Sequence, residues 1–310
     1  MKIQKKSEIN LSANPLYSLT VDPKEKFLYA GGLDKYLTKV NYQKESSEIY
    51  KIEGLNTSIY ASIFDSDHSR LWLAGGKGIL QGLEKGSVSL RIQVPLANTP
   101  IFCLGLIPRS TTLLAGIGNG ELKIINTEIL ENINFEPQAI QTLKISQEAI
   151  RVIAFHPNKP LLALGGKDTF IYLLNSDTLE VIMILKSHSL PVFSLAFSPN
   201  GQFLVSGSRD ASLKIWDLSI FKLAHSIPAH LFAVNHILFH PTEPYFVSAS
   251  MDKSIKVWGS EDFVLYKILN QEKIKGHTSS VNRMAWLEPE GNTLASISDD
   301  RRLIFWEFDF

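Results

Sequence analysis

The sequence predicts an all-β fold, a seven-bladed β-propeller, on the basis of two recurring features. The first is a block of small residues that ends in a turn: AGGLD (30–34), AGGKG (74–78), AGIGN (115–119), LGGKD (164–168), SGSRD (206–210), SASMD (248–252) and SISDD (296–300). The last residues of these blocks are 44, 41, 49, 42, 42 and 48 residues apart, a loose period typical of propeller blades. The second is an apolar run whose second residue precedes the turn position by 17 residues in five repeats and by 18 in two. Spacing is tighter within repeats than between them, as expected for one structural unit joined by variable loops.

The elements of each repeat are predicted to be strands. The apolar runs are rich in β-branched and aromatic residues; they are LYSLTV, IYASIF, IFCLGL, IRVIAF, VFSLAF, VNHILF and VNRMAW. A turn such as SPNGQ usually follows, then a second strand such as QFLVSGS and a third such as SLKIW. Nearly continuous apolar strands indicate that both faces of a blade are covered by its neighbours. No segment has the periodicity of a substantial helix, although 127–145 has room for a short one.

Composition limits the classes of protein to consider. The chain has 310 residues, 45% of them hydrophobic, with 31 basic and 31 acidic residues. Such a chain can bury a large core, and its neutral balance disfavours a nucleic-acid partner. Cys103 is the single cysteine, so no intrachain disulfide is possible, and it is expected to behave as a small hydrophobe in an inner strand. No apolar run suggests a signal peptide or a membrane span, and a reducing cytoplasm fits these features.

The later repeats carry a recognisable signature. SGSRDASLKIWD and SASMDKSIKVWG resemble the WD-repeat β-propeller family, which implies four antiparallel strands per blade around a central channel. The resemblance is strong in repeats five to seven, which contain Trp216, Trp258 and Trp306. In the first four repeats the Trp position holds Val40, Leu83, Ile125 and Leu174. The whole chain is predicted to be one domain, with blade cores at about 12–50, 56–92, 98–132, 147–182, 189–225, 231–268 and 278–310.

The ring is predicted to close through the N-terminal segment. The sequence ends four residues after Trp306, which leaves repeat seven without a fourth strand of its own. Residues 1–11 contain Ile3, Ile9 and Leu11 among polar residues. An open ring would leave unpaired strand edges. We therefore expect residues 1–11 to supply the outer strand of the last blade.

Three sets of polar residues look like catalytic triads. His188 precedes Asp210 by 22 residues, His230 precedes Asp252 by 22, and His277 precedes Asp300 by 23. A serine in each turn block, Ser206, Ser248 or Ser296 or the serine two residues on, completes each set. Threefold repetition argues against catalysis. The family resemblance instead implies a structural network in which His bonds the turn Asp, with Ser and Trp216, Trp258 or Trp306 completing it.

No cofactor or metal is predicted. The glycine-rich segments 75–78 and 116–120 lack the ending of a phosphate loop, and no helix follows them. The eight histidines include no H-E-x-x-H motif and no matched cysteine partner for zinc. The segment DSD at 65–67 lacks the full calcium-loop pattern. These segments are interpreted as turns of the repeats.

The resemblance implies that partners bind the face carrying the turn Asp residues, here called the turn face. The first-strand ring, which is the second residue of each apolar run, is expected there: Tyr17, Tyr60, Phe102, Arg151, Phe193, Asn235 and Asn282. Aromatic residues and Arg are enriched at interaction hot spots, although some of these aromatics are equally consistent with channel-lining core. With Arg151, the residues Lys77, Lys167 and Arg209 are candidates for a positive rim that faces an acidic peptide. The inserts 127–145 and 260–275 are further contact candidates.

The sequence thus favours a non-catalytic scaffold or adaptor for protein or peptide partners. The alternative from another class is a hydrolase-like propeller enzyme that uses the mouth of the central channel. Such an enzyme needs convergent carboxylates or histidines, whereas the first-strand ring offers aromatics, Arg and Asn. A nucleic-acid reader is disfavoured by the neutral net charge.

Overall fold

In the computed structural model, the described residues are 1–44, 49–52, 55, 57–67, 69–84, 90–131, 140–186 and 188–309. Their strands form seven four-stranded antiparallel sheets, which are the blades of a ring. The first strand of each blade lies next to the first strand of the following blade, and the first strand of the last blade contacts that of blade one. The predicted seven-bladed β-propeller is therefore confirmed.

The strands follow one another from the channel outwards, except that β1 (Lys2–Asn10) belongs to the last blade. Blades one and two contain β2 (Leu16–Asp22), β3 (Phe27–Gly32), β4 (Leu37–Asn41), β5 (Ile49–Ile52), β6 (Ile59–Asp65), β7 (Arg70–Gly75), β8 (Ile79–Glu84) and β9 (Leu90–Pro95). Blades three and four contain β10 (Ile101–Leu106), β11 (Thr112–Ile117), β12 (Glu121–Asn126), β13 (Gln141–Lys144), β14 (Ile150–Phe155), β15 (Leu161–Gly166), β16 (Phe170–Asn175) and β17 (Val181–Lys186). Blades five and six contain β18 (Val192–Phe197), β19 (Phe203–Ser208), β20 (Ser212–Asp217), β21 (Lys222–Pro228), β22 (Val234–Phe239), β23 (Tyr245–Ser250), β24 (Ile255–Gly259) and β25 (Leu265–Leu269). Blade seven contains β26 (Val281–Trp286), β27 (Thr293–Ser298) and β28 (Arg302–Asp309) in addition to β1.

The described parts of the predicted inserts contain two short helical segments. A single 3₁₀ turn spans Ile129–Glu131, and helix α1 spans Gln271–Ile274. The Asn270 side chain caps α1 by accepting a hydrogen bond from the backbone N–H of Lys273. Residues 132–139 of the first insert lie outside the described residues, as do parts of the predicted blade cores 12–50, 56–92, 98–132 and 278–310.

The small residues of the turn blocks have a packing role. Gly207 in β19 lies against β22 of the next blade, where an added Cβ would be 2.6 Å from a methyl carbon of Val234. Gly165 meets Val192 of the following blade in the same way, at 2.8 Å. A larger residue would push neighbouring blades apart, so the second strand of these blades carries a small residue where it abuts the next inner strand.

The N-terminal strand closes the ring. It pairs antiparallel with β28, with Ile3 opposite Phe308 and Ile9 opposite Leu303. The Ile3 side chain belongs to a buried cluster that spans blades six and seven. The exposed surface of the seam carries an ion pair in which Arg302 donates to Glu8 over 2.6 Å. The predicted N-terminal closure is confirmed.

Ring closure should be a measurable part of the stability. We expect Ile3→Ala to destabilise the fold by about 2–4 kcal/mol, because it leaves a cavity in a buried cluster. The melting temperature should fall by roughly 4–10 °C, whereas Lys2→Ala, an exposed change on the same strand, should leave it nearly unaltered. Thermal unfolding by circular dichroism checks this, and equal melting of both variants would show that β1 adds little.

A channel mouth lined by one residue from each blade

The predicted polar sets come together as hydrogen-bonded chains in blades five to seven. In blade five, His188 Nδ1 lies 2.9 Å from Asp210 and its Nε2 lies 2.7 Å from Ser206 Oγ. The indole N–H of Trp216 donates to the same serine oxygen over 2.9 Å. The chain thus links a loop, a turn and two strands of one blade.

The same arrangement recurs in the next two blades. In blade six, His230 contacts Asp252 at 2.8 Å and Ser248 at 2.7 Å, and Trp258 donates to that serine over 2.8 Å. In blade seven, His277 lies 2.8 Å from Ser296 Oγ, which also accepts from Trp306 over 2.8 Å. The His277 Nδ1 lies 3.0 Å from the carboxylate of Asp300. All three serines are fully buried, and each hydroxyl is already engaged by the His and Trp side chains.

The electrostatics of these chains fit a structural role. Burial lowers the pKa of His188 and of His230, despite the opposing effect of their aspartate partners, so both rings are neutral at pH 7. Burial alone would raise the pKa of Asp210, but hydrogen bonds from Ser212 and His188 outweigh it and lower that pKa to about 2. The pKa values of Asp252 and Asp300 are lowered in the same way. The charge of each aspartate is therefore stabilised by hydrogen bonds within its own blade.

Two earlier blades use serine in place of histidine, which the sequence pattern did not reveal. Ser12 donates to Asp34 in blade one, and Ser146 donates to Asp168 over 2.5 Å in blade four. Both serines precede their aspartate by 22 residues, the spacing of His188 and Asp210. That shared spacing is the signal that would have found them.

In blade two, the predicted alignment of the turn block with those of the other blades is wrong by one residue. The backbone N–H of Gly76 donates to Ser58 O, as that of Arg209 donates to Pro191 O in blade five. Gly78 has a φ of 68°, matching the φ of 65° at Ala211, which follows the turn aspartate. Lys77 therefore occupies the turn-Asp position rather than the position before it, and its N–H donates to Thr57 Oγ1 over 3.0 Å.

The first-strand ring is aimed into the channel by a repeated β-bulge. In every blade the pairing register shifts at the second residue of the first strand, as between Ile101 and Cys103 or between Val192 and Ser194. The skipped residues are Tyr17, Tyr60, Phe102, Arg151, Phe193, Asn235 and Asn282. A bulge leaves one residue unpaired and redirects its side chain. All seven side chains line a single cavity of about 440 Å³ at the channel mouth, together with Leu33, Pro100 and Arg283.

Aromatic rings and a guanidinium form one arc of this mouth. Tyr17 meets Tyr60 edge to face at 5.9 Å between ring centroids, and Tyr60 stacks on Phe102 at 5.8 Å. The guanidinium carbon of Arg151 lies 3.7 Å from the Phe102 ring centroid, a close cation–π contact. The side chains of the arc therefore pack against one another rather than standing as independent groups.

The asparagines on the opposite arc connect neighbouring blades. Asn282 donates to Leu16 O over 2.7 Å, across the seam between blades seven and one, and to Asp299 over 2.8 Å. Asn235 donates to Val281 O over 2.9 Å. Much of the hydrogen-bonding capacity of these amides is therefore used within the ring.

Arg283 is a mouth residue that the sequence reasoning missed. It donates to the backbone carbonyls of Asn235 over 3.0 Å and of Asn282 over 3.2 Å. The sequence feature that could have identified it is a charged residue within the mainly apolar run VNRMAW of β26. Burial lowers the pKa of both Arg283 and Arg151, yet a guanidinium remains charged in proteins.

Neither mouth arginine is neutralised within the ring. Among the described residues, no carboxylate lies within ion-pair distance of Arg151 or Arg283, and the Arg151 Nε is buried without a hydrogen-bond partner. The described residues that line the cavity include no acidic side chain. The mouth thus holds two partly desolvated positive charges in an aromatic setting, an arrangement that favours an anionic group.

Below the mouth, a second cavity of about 200 Å³ continues into the channel. It is lined by Cys103, whose pKa burial raises to about 12, and by His236, whose pKa burial and the neighbouring Arg283 lower to about 3. The His236 Nδ1 accepts the backbone N–H of Met284 over 3.2 Å. Neither group is in a state suited to nucleophilic or acid–base chemistry near pH 7.

The rim of the turn face combines charged and apolar groups. Lys77 and Arg209 are exposed, whereas the exposed Lys167 pairs with Glu148 over 2.8 Å. The loops of blade six add large apolar side chains that the sequence analysis did not single out: Leu231 is 83% exposed and Phe232 is 59% exposed. They follow His230, whose loop is fixed to Asp252, so they lie on the turn face.

Comparison with known families supports the repeat assignment. The family model described as WD domain, G-beta repeat matches residues 179–217, 221–259 and 269–307. No curated protein matches the chain. Within the described residues, no helix is long and apolar enough to cross a membrane, and no group of three or more potential ligands among His, Cys, Asp and Glu could hold a metal ion.

The hydrogen-bonded chains should matter for stability. We expect Asp252→Ala to destabilise the fold by about 2–4 kcal/mol, because the buried His230 and the Leu231 N–H lose their acceptor. Asp177→Ala, which removes an exposed aspartate from a surface turn, should cost less than about 0.5 kcal/mol. Urea unfolding followed by tryptophan fluorescence provides both values. A small loss for Asp252→Ala would mean that the chain of hydrogen bonds does not hold the blade.

Proposed function

We propose, from the premise that the chain is a WD-repeat β-propeller, that it is a non-catalytic scaffold whose partner is a protein or peptide segment. The proposed site is the channel mouth on the turn face, formed by the first-strand ring and Arg283. Propellers of this family commonly mediate protein interactions, which supports the proposal. The finer assignment to this face depends on the chemistry of the mouth.

The observation that carries the proposal is the pair of unneutralised arginines. Arg151 and Arg283 line one cavity, and no carboxylate of the described residues lies within ion-pair distance of either of them. A carboxylate from a partner would recover electrostatic energy that the isolated ring lacks, and would do so in a partly desolvated site where such a pair is stronger than at the surface. The partner segment is therefore proposed to insert an Asp or Glu side chain into the mouth.

The surroundings of the mouth suit the remainder of such a segment. The aromatic arc of Tyr17, Tyr60 and Phe102 offers a preformed apolar wall, and Leu231 and Phe232 extend apolar surface over blade six. Aromatic anchors held in place before binding lose little conformational entropy. An acidic residue flanked by apolar residues is thus the segment chemistry that fits best.

The competing enzyme hypothesis lacks a supporting observation in the channel. The described lining of both cavities contains no carboxylate to pair with His236. The three His–Asp–Ser sets are committed to hydrogen bonds within their blades. Nucleic acid is not proposed as a partner because acidic and basic residues are equal in number. A cytoplasmic location is part of this proposal.

Selection from a random peptide library displayed on phage tests the site. We expect wild-type protein to recover peptides with Asp or Glu beside apolar residues. Arg151→Gln should weaken their binding by about 30-fold, as expected for loss of one partner of a buried charge pair. Isothermal titration calorimetry measures the change in Kd.

Lys222→Gln provides the matched control, since Lys222 is an exposed cation on the outer strand β21, away from the mouth. Its binding should equal that of the wild type. Recovery of peptides without acidic residues, or equal binding by Arg151→Gln, would reject the proposed site.

A further inference from the structure

The outer strand of blade four exposes an unbroken apolar surface. Four consecutive residues of β17, Val181 to Ile184, are between 39% and 51% exposed. The strand pairs with β16 on one side, and no described strand pairs with its other edge. Other outer strands interrupt their apolar residues with charge, such as Lys51 in β5 and Lys267 in β25. Exposed apolar edges are ordinarily protected or used for association.

The two ends of this apolar stretch carry opposite charges. Glu180 precedes β17 and Lys186 is its last residue, and each lies three positions from Met183. Both side chains are exposed. Neither forms an ion pair within the described residues. The Glu180 carboxylate accepts only from Thr178 in the described chain, over 3.3 Å.

The segment is complementary to itself. In an antiparallel pairing about a two-fold axis at Met183, Glu180 lies opposite Lys186 of the second copy, and Ile182 lies opposite its Ile184. The two-fold symmetry forms the charge pair twice and brings the apolar stretches together. Opposite charges and apolar residues across paired strands are both stabilising, and a two-fold contact uses the same patch on each copy.

The patch contains a β-bulge at Ile182 and lies far from the channel. The register between β16 and β17 shifts between Leu173 and Leu174, so that Ile182 has no partner on β16. Its side chain is the most exposed of the four. Because β17 is at the outer edge of its blade, whereas the first-strand ring lines the channel, contact at β17 leaves the mouth open.

We propose that two copies of the chain associate through their β17 strands, antiparallel about a two-fold axis at Met183. The occupant of this edge is a second copy because, in antiparallel pairing, Glu180 of each copy lies opposite Lys186 of the other. Such a dimer presents two channel mouths, which raises the avidity for a partner with two binding segments. The inference does not depend on what the mouth binds.

Sedimentation equilibrium of the full chain tests the association. Wild type should form a dimer and no larger species, and Ile182→Lys should be monomeric with an unchanged melting temperature. Leu223→Lys is the matched control, an equivalent change at an exposed apolar position of β21, and it should remain dimeric. A monomeric wild type, open-ended aggregation or a dimeric Ile182→Lys variant would overturn the proposal.

Charge reversal tests the register. Glu180→Lys alone and Lys186→Glu alone should each weaken the dimer by about tenfold, because each places like charges opposite one another twice. The double variant Glu180→Lys/Lys186→Glu should regain nearly wild-type association. If the double variant did not regain association, the two-fold pairing would be contradicted, because that pairing places residue 180 of one copy opposite residue 186 of the other.

Discussion

The pairing of β1 with β28 is the contact on which the ring depends. It joins β1 to β28 in one sheet, so that the last blade has four strands with β1 as its outer strand. The closed ring then allows Asn282 in blade seven to donate to Leu16 O in blade one. A mouth built from one residue of each blade exists only if this seam is closed. The stability of the closing strand and the geometry of the candidate site are therefore linked.

Two kinds of polar residue serve different purposes in this ring. In blades five to seven, His, Asp, Ser and Trp form chains in which each buried group is hydrogen-bonded, so the charge of the aspartate is compensated locally. At the mouth, Arg151 and Arg283 have no carboxylate partner among the described residues; Arg283 donates to two backbone carbonyls, whereas the Arg151 Nε has no hydrogen-bond partner. Buried polar groups without partners oppose folding, and proteins retain them mainly where they have a function. This contrast, more than the fold, is the basis on which we propose the mouth as the binding site.

Much of the fold could be predicted because the repeat spacing, the small residues and the apolar positions of the N-terminal segment can be read directly from the sequence. The first-strand ring was also predictable, since its members occupy one fixed position before each turn. The bulge that aims them was not, because an extra unpaired residue leaves no mark in an apolar run. Arg283 was missed because the bulge precedes it, and alternation of inward and outward side chains along the strand does not continue through a bulge. Lys77 was assigned one position early because the block AGGKG has no aspartate to mark the turn position, which lies 17 residues after Tyr60 once Lys77 is placed there.

We propose that Arg151 is present for binding rather than for folding. Thermal unfolding of Arg151→Met tests it most directly, since Met keeps an unbranched apolar side chain against Phe102 while removing the charge. If the guanidinium is an uncompensated, partly desolvated charge, its removal should leave the melting temperature unchanged or raise it. A fall of roughly 5 °C or more would contradict the account, because it would mean that Arg151 stabilises the ring itself.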